Sequence, residues 1–234
     1  MEKDENPIHH AMDYLPFLEN HLKHRREIRE KSKGSNKELL TAHQLAFSAI
    51  ISYQNRIQGL RYEAVDLAIK GRMSLLAQFI QGIDLTETAI SEGLYANAAN
   101  LLKQELEIIA AFDEHRDGIR LDGKTPRFKG MLARFGRRYG ELNEIAHPTR
   151  QEIVESLSTF SDKGRYGPTT IPQFNAELYQ IFYGTQAMFF IMLLGRMRSL
   201  FLEVFGLDYS EAEVRLATSA LKILIDQGTI EVLK

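Results

Sequence analysis

Residues 94–115, LYANAANLLKQELEIIAAFDEH, carry apolar side chains at Leu94, Ala98, Leu101, Leu102, Ile109 and Phe112, a spacing that gathers them on one face of an α-helix. Gly93 precedes the segment and the turn-forming pairs Asp117-Gly118 and Asp122-Gly123 follow it, so the helix is bounded at both ends. A helix with one apolar stripe must bury it against other elements. Glu105 lies near the centre of this stripe, where an unpaired carboxylate is costly, so it is expected to find a partner, in the simplest case as a buried ion pair.

Working outward, the same helical period recurs and strand-like alternation is nearly absent. A polar, His- and Arg-rich helix is expected over about residues 8–33. Its apolar set is sparse (Met12, Leu15, Leu18, Leu22, Ile28), which places it at the periphery. After Gly34-Ser35-Asn36 a second helix carries Leu39, Leu40, His43, Ala46, Phe47, Ile50, Ile51 and Ile57 and should be well buried. Residues 61–91 continue the pattern through Val65, Leu67, Leu75 and Phe79, with Gly71 and Gly82 leaving one helix or two open.

On the far side, Thr125 as N-cap and Pro126 at the first helical position predict a helix to about His147, which Pro148 stops. Residues 149–171 read as a long loop with room for a short hairpin. A long apolar helix runs over about 172–205, and Ser210 with Glu213 forms a capping-box pattern opening a last helix that Gly228 ends. The expected fold is an all-α antiparallel helical bundle. Within one domain, residues 1–34 form a peripheral N-terminal helix, 35–207 the bundle core and 208–234 a C-terminal capping helix.

Composition removes several function classes. The chain has no cysteine, so thiolate metal sites, disulfides and cysteine nucleophiles are excluded. His9-His10 is expected in a mobile tail and the pair His21 and His24 lacks an accompanying carboxylate cluster, so neither metal nor cofactor is expected. The most apolar run, residues 187–194, is far short of the roughly 20 residues of a spanning helix, so no membrane partner is expected and the surrounding Met188, Phe189, Phe190 and Met192 read as core. With no secretory signal either, a cytoplasmic location is expected. The net charge is −2, so nucleic acid could be drawn only to a local patch.

One such patch exists. Arg127, Lys129, Arg134, Arg137 and Arg138 precede the first acid of their segment, Glu141, and could meet a phosphate backbone; a solvated face paired with neighbouring acids has the same composition. On one continuous helix, at about 100° per residue, Arg127, Arg134 and Arg138 share a flank opposite Asn143 and His147. A guanidinium beside His147 would then have to come from another helix or a partner subunit. Asn143 and His147 are four apart and therefore neighbours, and a histidine there can act as acid or base near neutrality, although the end of a helix also stabilises a purely structural one.

The segment Leu142-Asn143-Glu144-Ile145-Ala146-His147 resembles the motif of the HEPN superfamily: an arginine, four to six residues, then a histidine, with a polar residue often following the arginine. Asn143, the spacing and His147 match, and Leu142 stands where the motif has Arg. Residues 98–107, AANLLKQELE, look like the helix that precedes this motif, with Lys103 and Glu107 at its basic and acidic positions. The resemblance spans about residues 60–205. It implies a helical bundle, RNA or nucleotide as partner, a homodimer, and a prokaryotic stress or phage-defence setting. In its catalytic form it implies metal-independent RNA cleavage, with the 2′-hydroxyl attacking the adjacent phosphate, His147 as acid or base, Asn143 positioning it, and Lys103 or a residue across a dimer holding the phosphate. Leu142 argues for the other reading, a non-enzymatic helical scaffold or protein-interaction protein. The supporting acid is Glu105 by the geometry of the stripe and Glu107 by resemblance.

Overall fold

In the computed structural model, which describes residues 14–61, 66–148, 150–162 and 164–230, apolar periodicity becomes helix almost wherever it was clear. The helices are α1 (Tyr14–Ser35), α2 (Lys37–Ile57), α3 (Leu67–Ser91), α4 (Tyr95–Arg116), α5 (Gly136–Ala146), α6 (Gln151–Ser158), α7 (Ala176–Phe205) and α8 (Glu211–Asp226). A 3-10 helix over Gly130–Phe135 leads into α5, and β1 (Thr159–Asp162) pairs antiparallel with β2 (Arg165–Pro168) between α6 and α7. The protein is an all-α helical bundle. Its core is α2, α3, α4 and α7, filled by Tyr53, Phe79, Phe112, Phe182, Phe190 and Phe201, with α8 laid along α2.

At α2, α3, α7 and α8 a side chain caps the helix start. Asn36 Oδ1 accepts from Leu39 N (2.9 Å) at the head of α2, and Asn175 Oδ1 accepts from Leu178 N (3.0 Å) at the head of α7. The Ser210 and Glu213 capping box opens α8 as its sequence predicts. The stripe of α1 is too sparse to hold it by packing, since only Ile28 and Ser32 are buried. Charge docks it instead: Arg25 and Arg29 both reach Glu92, and Arg29 also meets Glu87 (3.1 Å).

Residues 67–91 form one helix that passes Gly71 and Gly82 unbroken. Gly71 is there for space, because a Cβ would stand 2.4 Å from Cε1 of the His115 ring. Met12, Val65 and the His9-His10 pair lie outside the described residues.

Two expectations are corrected. Residues 126–147 are not one helix: Lys129 is extended (φ −116°, ψ 162°), Gly130 is left-handed (φ 56°), and α-helix begins only at Gly136. The Arg127 amide donates to the buried Glu114 carboxylate (3.0 Å), which ties this segment to α4 in extended form and overrides the helix-start cues of Thr125 and Pro126. Residues 149–171 are not all loop, since they hold α6 as well as the hairpin, which turns at Gly164 (φ 80°).

Candidate functional site

Helix α4 carries polar groups to two sides. Inward, Glu105 is 3% exposed, and its partner is an amide rather than a cation. Gln186 Nε2 on α7 donates to Glu105 Oε1 (3.1 Å) and to the Ile83 carbonyl (3.3 Å), while Gln186 Oε1 faces His43 Nε2 on α2 (2.8 Å). The expected ion pair is therefore replaced. Burial pushes the Glu105 carboxyl up to about 8, only partly offset by Thr86 and Gln186, so it is protonated at neutral pH and needs no counter-charge. Burial likewise pulls His43 down to about 4, keeping it neutral.

Outward, Lys103 Nζ donates to Asn143 Oδ1 (2.9 Å) and lies 5.3 Å from the centre of the Tyr139 ring. The Tyr139 hydroxyl donates to Glu107 Oε1 (2.7 Å); burial first, and then Glu107, pushes that phenol up to about 12. Lys103, Glu107 and Asn143 are thus brought together between α4 and α5, with Tyr139 as the member that sequence reasoning missed. Leu142 is 1% exposed. The motif's arginine position points into the core, where a guanidinium would be buried without water.

His147 caps the C-terminus of α5 in extended conformation, and its backbone N–H donates to the Asn143 carbonyl (3.1 Å). Its side chain is exposed, and no hydrogen bond or ion pair joins its ring to another described residue. Lys103 donates to Asn143 at Oδ1, and no hydrogen bond joins the Asn143 side chain to the imidazole.

The basic stretch divides. Arg137 and Arg138 both pair with Glu141 at 3.0 Å, whereas Arg127, Lys129 and Arg134 are exposed with no carboxylate partner among the described residues. Because the chain is extended before Gly130, Arg127 does not share a helix flank with Arg138. It instead lines, with Lys129, a cavity of about 340 Å³ that also receives Arg116 and Arg196 and the carboxylates of Asp113, Glu114 and Asp117. Arg196, which the sequence did not single out, is fixed there by Asp113 and by the Met192 carbonyl (2.8 Å). Contacts between α4 and α7 bring these groups together, and no local spacing announces them.

Among the described residues no cluster of three or more metal-ligating side chains occurs, and no helix is long and apolar enough to cross a membrane. No protein-family profile, curated protein or solved structure matches the chain.

Proposed function

We propose that this protein is a HEPN-like RNA- or nucleotide-binding protein that holds ligand phosphates on Arg127, Lys129 and Arg134 and acts as a binding module rather than a ribonuclease. The observation that carries this reading is that among the described residues no carboxylate pairs with these three cations, whereas Arg116, Arg120, Arg137, Arg138, Arg150 and Arg196 are each held by an acid. Cations already neutralised by carboxylates have little left to offer a phosphate, and unneutralised ones release counterions on binding. The cavity beside Arg127 and Lys129, where these two with Arg116 and Arg196 outnumber the acids Asp113, Glu114 and Asp117, gives a phosphate or base somewhere to sit. Against cleavage by a single chain stand the exposed, unoriented His147 and the inward Leu142.

The test is binding of labelled single-stranded RNA across a salt series, with a cleavage assay in chelator alongside. Three phosphate contacts correspond to about 2 in the slope of log affinity against log salt. Arg127→Ala/Lys129→Ala/Arg134→Ala is expected to lose that much slope and to bind at least about tenfold more weakly at low salt, a difference of about 1.4 kcal/mol. Unchanged slope and affinity would remove the reading. Metal-independent cleavage that leaves cyclic phosphate ends and is lost in His147→Ala would replace it with a nuclease completed by a second copy.

A further inference from the structure

The outer end of the buried polar chain opens on a second cavity, of about 410 Å³, between α1, α2, α3 and α7. That volume lies within the roughly 300–1,000 Å³ of small-molecule sites. His43 is among its lining residues, with Phe47, Tyr179 and Tyr183 as aromatic walls. We propose that this cavity binds a small uncharged planar heterocycle whose ring N–H donates to Nδ1 of His43. The proposal is independent of the basic face.

The orientation of the Gln186 amide sets the tautomer. The Ile83 carbonyl can only accept, so the atom 3.3 Å from it is the amide nitrogen, and the amide oxygen faces His43. Nε2 of His43 therefore carries the proton, and Nδ1 keeps a bare lone pair. Burial holds the ring neutral, so the lone pair persists at physiological pH. No described group donates to Nδ1. It is also absent from the partnerless polar atoms sealed away from solvent, in contrast to Glu105 Oε2 at the inner end of the chain. The chain of three buried polar side chains thus ends outward in an acceptor at a cavity wall. Apolar residues could have filled the same core positions without the desolvation cost of a histidine, an amide and an acid.

The walls select shape and the mouth selects charge. The imidazole stacks on Tyr183 with centroids 4.3 Å apart, and Tyr183 stacks on Tyr179 at 5.0 Å, a row of rings closed on one another that a flat ligand would join at the cavity edge beside Phe47. At the mouth Arg29 is neutralised by Glu87 and Glu92, and Lys33 by Glu30. Asp84 stands out in solvent. An anionic ligand would have to break those pairs, whereas an uncharged one leaves them intact.

The experiment titrates 15N-histidine-labelled full-length protein at pH 7 with benzimidazole and adenine, and with 1-methylbenzimidazole, which keeps the plane but lacks the N–H. The expected result is a saturable shift of the His43 Nδ1 resonance with both N–H probes. The methylated probe should bind at least about tenfold more weakly, in line with the loss of one hydrogen bond, and His43→Phe should lose the N–H preference. An Nδ1 resonance unmoved by either N–H probe, or equal binding of benzimidazole and its methylated form, would overturn the proposal. If His43→Phe fails to fold, the comparison of the two benzimidazoles on wild type still decides.

Discussion

Glu105 and Glu107 stand two residues apart on α4 and have different chemistry. Glu105 is sealed among α2, α3 and α7, keeps its proton, and is held by an amide that also holds a neutral histidine. Glu107 is half-buried against α5 and accepts from a tyrosine whose ring lies under a lysine. In the dry interior an ion pair would have to repay the desolvation of two charges, so a neutral acid and an amide are the cheaper solution. At the half-wet surface charges keep most of their hydration, and a Lys-Asn contact costs little. The same residue type on one helix is therefore a neutral, sealed hydrogen-bonding group on one side and a half-wet acceptor on the other, according to access to water.

The largest way to break this contrast is Gln186→Leu. It removes the amide from the midpoint of the buried chain and leaves both Glu105 and His43 without their partner. Unfolding in denaturant should show a loss of about 2–4 kcal/mol, the scale of two orphaned buried polar groups. A loss under about 1 kcal/mol would mean that Glu105 and His43 find water or another partner once the amide is gone.

The pH dependence of stability comes next in size. An unfolded glutamate ionises near 4.5 and Glu105 in the fold only near 8, so between those values the unfolded state binds fewer protons and stability falls as pH rises. His43 acts oppositely: its folded value of about 4 lies below the unfolded 6.5, so across that window the unfolded state binds more protons and stability rises with pH. The two oppose each other from 4.5 to 6.5, and from 6.5 to 8 Glu105 acts alone. Wild type is expected to lose about 2 kcal/mol over that upper window, measured as unfolding free energy at each pH, while Glu105→Gln stays nearly flat. Parallel curves for the two proteins would show that Glu105 is ionised in the fold.

What the sequence makes legible follows the range of the interactions. The helices α2, α4, α7 and α8 are readable because their stripes and caps are local: Asn36 and Ser210 act on backbone amides three residues away. Glu105 is visibly inward from the stripe of α4, but its partner is 81 residues distant and lies at the edge of an apolar run, where an amide gives no charge signal. The stretch after Pro126 fails for the same reason. Its local cues say helix, and a contact from the Arg127 amide to Glu114 on another element decides otherwise. Helix α6 has eight residues, none buried, too few turns for a period to stand out. At the candidate site the Asn143 and His147 spacing was readable, whereas the engagement of Asn143 by Lys103 depends on how α5 sits on α4.

The smallest effect is expected on the half-wet side. Tyr139→Phe removes the hydroxyl that Glu107 accepts from and keeps the ring under Lys103. Glu107 can turn to water, so the cost is one ordinary hydrogen bond, about 0.5–1 kcal/mol in denaturant unfolding. Tyr139→Leu also withdraws the ring and should cost about 0.5–1 kcal/mol more, the scale of an exposed cation-π contact. The two steps separate what Tyr139 does for Glu107 from what it does for Lys103. If Tyr139→Phe alone cost as much as Gln186→Leu, Glu107 would be as dry as Glu105, and the difference between the two sides of α4 would not arise from water.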